Sequence, residues 1–352
     1  MFEEKGLEND VQITLKDSFH HQLVKWYERV KLHDTAKALT YRNMLEELPK
    51  SKSEWMLFRL FDVKHLLQNH YIAQAKSLMK SICVQELDNK YLYYYCLFQS
   101  DIFLLDGEHK KAICTLEKAG KYVAAVGEDD TAELHYKLGT NFHYLGITPL
   151  AKLHFEQAFR IFSKDNTSLV RKSHALMGMG LTSLNAGEEK DAEKYLLLAT
   201  KIAEKLGHKQ SLASVYHNLG ALFLHQNRTA DALFYLEKVS EFADSSLLIA
   251  NDYLRTEAYM KQENHQKAYQ SFEHGFQLCK QENSQDYLWR FAMLLKKFDD
   301  PEGFRVLVEP SLSQLQGARH EHVTERFRHL LTTYFTENEQ FDQAFKIQLA
   351  TC

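Results

Sequence analysis

His320-Glu321-His322 gathers three metal-ligating side chains, but its spacing does not suit a metal. Two histidines share one helix face when they stand four residues apart, not two. No Gly-x-Ser-x-Gly elbow, P-loop or Gly-x-Gly-x-x-Gly turn occurs. His20-His21 and the other histidines read as surface or groove residues. The five cysteines (Cys83, Cys96, Cys114, Cys279 and Cys352) are odd in number and contain no Cys-x-x-Cys pair, against both a disulfide framework and a zinc ribbon. Cys96 and Cys114 stand at core-like helical positions and are expected to be buried thiols, not nucleophiles. No catalytic residue, metal site or cofactor is expected. The chemistry to look for is recognition, and the elements that position it come first.

An alanine recurs at 112, 151, 192, 232 and 268, spacings of 39, 41, 40 and 36, with Ala344 two further periods on. A large residue follows four places later (Phe155, Leu196, Leu236) and a small or apolar one seven places later (Ala158, Ala199, Val239). Leu138-Gly139, Met179-Gly180 and Leu219-Gly220 stand twelve to thirteen residues upstream. This is tetratricopeptide grammar: antiparallel helix pairs that cross where a Gly and an Ala let the backbones approach. Asp106-Gly107-Glu108, Asn185-Ala186-Gly187, Gln226-Asn227-Arg228 and Glu263-Asn264 mark the turns within pairs. A degenerate unit over 294–315 and a short capping helix over 341–352 complete the array.

Ahead of the repeats, Leu15, Phe19, Leu23, Trp26 and Val30 form one amphipathic stripe, and Leu39, Met44 and Leu48 continue it in the next element. Pro49-Lys50-Ser51-Lys52-Ser53 breaks the pattern before an apolar helix through Trp55, Phe58 and Phe61. The expected fold is all-α: an N-terminal helical bundle over 1–80, then a tetratricopeptide α-solenoid over 88–352. Tyr91, Tyr93, Tyr94, Tyr95, Phe98 and Phe103 form an aromatic stripe that reads as solenoid core before it reads as a stacking platform.

In such a solenoid the first helix of each pair lines the concave wall. Projected wall positions are Tyr136, Lys137 and Thr140; then His174, Leu181 and Asn185; then Asn218, Leu224 and His225; then Tyr253, Glu257 and Lys261. From these, Asn218, Asn185, His174, His225, Tyr253 and Glu257 are the candidate peptide-binding residues. A carboxamide both donates and accepts, so Asn218 suits an extended peptide's main chain. By spacing alone it reads equally as a solvated helix residue.

Composition narrows the partners. A net charge of −4, with no Lys/Arg block or helix-turn-helix pattern, gives no support for direct nucleic-acid binding. No stretch approaches eighteen uncharged apolar residues, and Met1-Phe2-Glu3-Glu4-Lys5 lacks the apolar run of a secretory signal. With no membrane span expected, the location to expect is cytoplasmic. Asn166-Thr167-Ser168 and Asn227-Arg228-Thr229 match the glycosylation pattern, idle there.

Ala132-Glu133-Leu134-His135-Tyr136-Lys137-Leu138 resembles the Ala-Glu-Phe-His-Phe-Lys run of the Rap family, quorum-sensing regulators of Gram-positive spore-formers. Trp26-Tyr27, Tyr94-Tyr95-Cys96-Leu97-Phe98 and His217-Asn218-Leu219-Gly220 look like family positions too, collinear over roughly residues 20 to 350. The resemblance implies a three-helix bundle that binds a response regulator or transcription factor, here through Lys52, Phe58 and Glu133. It also implies a short signalling peptide in the concave groove, with Asn218 on the peptide backbone. Family phosphatases carry Glu-Glu-Asp-Gln-Asp before the apolar helix, where the glutamine orients the attacking water. Counting back from Lys64-His65 puts Lys52 at that glutamine; pairing Glu46-Glu47 with the two glutamates puts Pro49 there. Lysine has no acceptor with which to steer a water.

Three functions follow: a peptide-controlled binding protein without catalysis, an aspartyl-phosphate phosphatase with its water-positioning group elsewhere, and a plain tetratricopeptide scaffold. The expected outcome for a non-catalytic relative is that Lys52→Gln releases phosphate from a phosphorylated regulator while the native chain does not. Release by the native chain would make it an enzyme.

Overall fold

A computed structural model of the chain describes residues 19–31, 34–48, 50–164 and 169–297. Ala344, the segments expected over 294–315 beyond Lys297 and over 341–352, and His320-Glu321-His322 lie outside them. All regular structure among the described residues is helical. The helices are α1 (Phe19–Lys31), α2 (Thr35–Glu47), α3 (Lys52–Gln68), α4 (Ile72–Lys80), α5 (Asn89–Leu105) and α6 (His109–Gly120). There follow α7 (Glu128–Tyr144), α8 (Thr148–Phe162), α9 (Leu169–Asn185), α10 (Glu189–Leu206) and α11 (Lys209–His225). The last are α12 (Thr229–Val239), α13 (Ser245–Lys261), α14 (His265–Gln281) and α15 (Gln285–Lys297). None is long and apolar enough to cross a membrane. The chain divides into two compact units after Ile202.

The pairing rule predicted from the alanines holds in the packing. Ala112, Ala151, Ala192, Ala232 and Ala268 are fully buried. Twelve residues before each stands a small one: Ser100, Gly139, Gly180, Gly220 or Thr256. The large residue four after the alanine fills the space a side chain would take there. A Cβ on Gly139 would lie 2.9 Å from Phe155, one on Gly180 2.8 Å from Leu196, and one on Gly220 2.4 Å from Leu236. Gly and Ala thus set the crossing, and the neighbour's bulky residue closes it.

One turn geometry joins the pairs. A residue of positive φ follows the first helix, and the next residue's N–H donates to the carbonyl five back. Gly107, Gly146, Gly187, Asn227 and Glu263 take this place, with bonds Glu108 N to Phe103 O (2.8 Å), Ile147 N to Phe142 O (2.9 Å), Glu188 N to Ser183 O (2.8 Å), Arg228 N to Phe223 O (2.8 Å) and Asn264 N to Tyr259 O (2.9 Å). This is the Schellman closure. The alanine always stands five residues after it. The same device joins α3 to α4, at His70 with Tyr71 N donating to Leu66 O (2.9 Å), and it reveals one more alanine in register, the buried Ala75, followed by buried Met79 and Ile82. The sequence pattern extends one period further upstream than the repeat count alone suggested.

In the first unit the stripe on α1 drives Trp26 and Tyr27 into an aromatic core. Trp26 stacks on Phe58 at 5.4 Å, and Tyr27 meets Phe61 at 5.0 Å and Tyr94 at 5.2 Å edge-on. The α5 stripe is core as expected, with Tyr93, Tyr94 and Phe98 buried. Cys96 is buried, but Cys114 is exposed, contrary to expectation. Ala112, Thr115, Leu116 and Ala119 define the inner face of α6, and Cys114 falls on the opposite side. At the start of α3, Ser51 and Glu54 form a reciprocal capping box.

Gly220→Ala is expected to cost about 1–3 kcal/mol by overpacking Leu236. Gly120→Ala, whose Cβ would find nothing closer than 3.9 Å, should instead be neutral or stabilise by up to about 1 kcal/mol. Urea unfolding midpoints of the two variants test the contrast.

Candidate functional site

The second unit presents first helices α11, α13 and α15. On α11, Gln210, Ser214, Asn218 and His225 recur at helical intervals; on α13, Ser246, Ala250, Tyr253, Glu257 and Lys261 do the same. At the N-terminal ends of these stripes lies a hollow of about 460 Å³. Ala213 and Ala250, both buried, leave it empty; Phe242, Leu247 and Tyr287 wall it, and Gln210, Asp244 and Ser246 edge it. His217 also lines it. Burial pushes the His217 imidazole down to about 4, the nearby Asn251 side chain opposing only in part, so the ring is uncharged at neutral pH. Asn251 is itself fully buried, donating to Leu236 O at 2.9 Å.

Farther along the stripe, Tyr253 packs edge-on against Phe291 at 5.7 Å, and burial raises its phenol. Glu257 pairs with Lys261 at 3.8 Å. Lys261 Nζ also donates to Leu224 O and Asn227 Oδ1, both at 3.3 Å, tying α13 to the turn after α11. Asn218 is half-buried and His225 exposed at the C-terminal end of α11. Leu224, projected to the wall, is buried core instead.

The first unit carries a different constellation, a cluster of charges under cover. Asp101 on α5 accepts from Lys64 of α3 at 2.8 Å and from Lys137 of α7. Lys137 also reaches Glu133 at 3.4 Å. Burial works against the Asp101 carboxylate, but Lys137 and Lys64 outweigh it and hold it below its ordinary range. Glu133 is lowered the same way, burial being overcome by Lys137, Lys64 and Arg171. Lys137, equally opposed by burial, is raised by Asp101 and Glu133. Beside them, Tyr93 donates to the main-chain carbonyl of Asp130, Tyr94 to its carboxylate at 2.8 Å, and Lys31 stands 3.8 Å away. There burial prevails over Lys31 and the Asp130 carboxyl is raised.

The tetratricopeptide repeat family model matches residues 172–245. Regulatory protein RapD of Bacillus subtilis (strain 168) is 22% identical over 226 residues, which are 62% of this chain and 64% of RapD, so the match spans just under two thirds of that relative. A Rap protein complexed with competence and sporulation factor superposes with a TM-score of 0.75 at 17% identity, covering 94% of this chain and 95% of that one. The chain shares the fold of that Rap protein. NprR in complex with its cognate peptide NprX shares the fold at a TM-score of 0.65 and 14% identity, over 92% of this chain and 99% of that one.

In this chain the six residues expected to bind peptide divide between the units. His174 and Asn185 belong to the first, Asn218, His225, Tyr253 and Glu257 to the second. His174 is half-buried, its ring 6.4 Å from that of Tyr136, and Asn185 is exposed at the end of α9. Of the three residues expected at a regulator surface, Lys52 is the first residue of α3, 87% exposed and 3.2 Å from Glu86. Phe58, contrary to expectation, is no surface residue: it is buried beneath Trp26, because the α3 stripe packs into the aromatic core. Glu133 is half-buried in the charge cluster. Lys137, projected as a groove residue, is consumed by Asp101 and Glu133. The sequence reading missed Asp101, whose signal was an acid at the apolar period of α5 (Tyr94, Leu97, Phe98, Asp101), and the facing alanines of the hollow, which have no local signal.

Lys137→Met would leave Asp101 and Glu133 buried without their main cation, and should cost about 3–5 kcal/mol at neutral pH. Both carboxylates are depressed in the fold, so their stabilisation is complete above the unfolded-chain value and lost as pH falls through the folded one. The deficit of the variant should therefore be largest near pH 7 and narrow below about pH 4, where the orphaned acids take up protons. Denaturant titrations across that range check it; a deficit independent of pH would contradict the assignment.

Proposed function

We propose that this protein is a peptide-controlled regulator of the cytosol. It grips a response regulator or transcription factor through the helices up to about residue 80 and their junction with the repeats, and it releases that partner or yields to it according to a short signalling peptide held in the repeat groove over 88–352. The observation that carries the proposal is the second unit's wall. Side chains able to hold a main chain and to seat side chains stand on the facing stripes of α11 and α13, with a ready-made hollow beside them. A Rap protein has been crystallised with competence and sporulation factor, and NprR with its cognate peptide, both on this fold.

Asn218 is the proposed main-chain clamp, with His225, Tyr253 and Glu257 along the second unit's wall; His174 and Asn185 are proposed peptide contacts on α9 of the first unit. Lys52 and Glu133 are the proposed regulator contacts, with Phe58 fixing α3 from beneath. The case against phosphatase chemistry rests on the resemblance, which puts Lys52 or, in the other register, Pro49 at the glutamine position; Lys52 is exposed and its ammonium has only donors. Coupling is by population shift. Whatever factor the peptide imposes on regulator affinity, the regulator imposes on peptide affinity.

Asn218→Ala should weaken a peptide selected from randomised pentapeptide and hexapeptide libraries by about 5- to 150-fold, the range for one lost buried hydrogen-bond pair. Regulator binding should be unchanged. Isothermal titration gives both numbers, and unaltered peptide affinity would remove Asn218 from the site.

A further inference from the structure

The hollow at the N-terminal ends of α11 and α13 owes its existence to two small residues. Ala213 and Ala250 are buried on facing helices where a larger side chain would fill the space between them. A void of about 460 Å³ lies within the range of ligand pockets. It opens on the faces that carry the proposed peptide contacts, since Ser214 stands one turn before Asn218 and Ala250 one turn before Tyr253.

We propose that this hollow is the specificity pocket of the peptide site and takes one large, uncharged, apolar side chain of the signalling peptide. The inference rests on the peptide reading above and adds the chemistry that reading leaves open. Phe242, Leu247 and Tyr287 are each half-buried around the void, so apolar wall awaits apolar cover. Among the described residues, no lysine or arginine lines it. The one carboxylate among its described lining residues, Asp244, is already used as the cap of α13, accepting from Leu247 N at 2.9 Å and from Ser246 Oγ at 3.0 Å. An acidic peptide residue would meet that carboxylate and an uncharged His217, with no cation among the described lining residues to offset its desolvation. A basic residue would gain only an exposed acid at the rim, a weak partner. An aliphatic or aromatic side chain loses nothing and covers the wall. Asn218 then holds the backbone without regard to sequence, and the hollow reads the sequence.

The test is selection from randomised pentapeptide and hexapeptide libraries by the native full chain, by Ala250→Phe and by Ser214→Phe. The second variant fills the hollow from a half-exposed position and so spares the core, and circular dichroism verifies that each is folded. The native chain should select Phe, Leu, Ile or Met at one peptide position and exclude Asp and Glu there. Both variants should bind the selected peptide at least tenfold more weakly and shift that position alone towards Gly or Ala. Native selection with acidic residues at that position, or folded variants with the native preference, would overturn the pocket while leaving the peptide reading standing. A native chain that selects no peptide overturns both.

Discussion

Helices in this chain approach one another as closely as their smallest residues allow, and the described pairs from α5 to α14 are built on that limit. A buried alanine on the second helix lies against a small residue on the first, and the side chain four places on drops into the notch. Phe155 against Gly139, Leu196 against Gly180 and Leu236 against Gly220 are three copies of one contact. The crossing so fixed sets where the first helices fall, and the first helices carry the wall. Asn218, the proposed peptide clamp, is therefore placed by Gly220, two positions along its own helix, meeting Leu236 across the pair.

The two units use their first helices differently. In the first, Lys137 of α7 turns into the protein and is consumed by Asp101 and Glu133, with Lys64 joining from α3. Charges kept from water in this way are costly unless each finds a partner, and here they fix the relative register of α3, α5 and α7. In the second unit, α11 and α13 meet through alanines and leave space. The filled junction suits a part that holds helices in register, the hollow a part that receives something from outside.

Much of this was legible because the helical period is short and the small residues are few. Ala112 to Ala268 and the three repeat glycines sufficed for the helix pairs, since nothing but close packing requires a small residue at a fixed interval. Ala75 escaped because Val63 stands twelve residues before it, where the other pairs have a small residue. Cys114 was misassigned because a small apolar residue one place off the inner face of α6 still looks core-like in a list. Wall positions were less readable than core ones. Whether Lys137 points to a groove or into a cluster depends on Asp101, thirty-six residues earlier, and whether two alanines pack or leave a void depends on a facing helix.

Among the described residues, the turn between paired helices takes a left-handed residue, a glycine at Gly107, Gly146 and Gly187 but a residue with a side chain at His70, Asn227 and Glu263; between pairs, Gly207 and Asn283 also stand at positive φ. A β-carbon in that conformation costs on the order of 1 kcal/mol. The closing hydrogen bond, not the residue type, evidently holds the bend, with Ser284 N to Cys279 O at 2.9 Å completing the last of them. Such corners are free to drift in sequence over generations without the array losing its pitch. Because an array of this kind is stabilised unit by unit, the small penalties stay local and never accumulate on a single cooperative step.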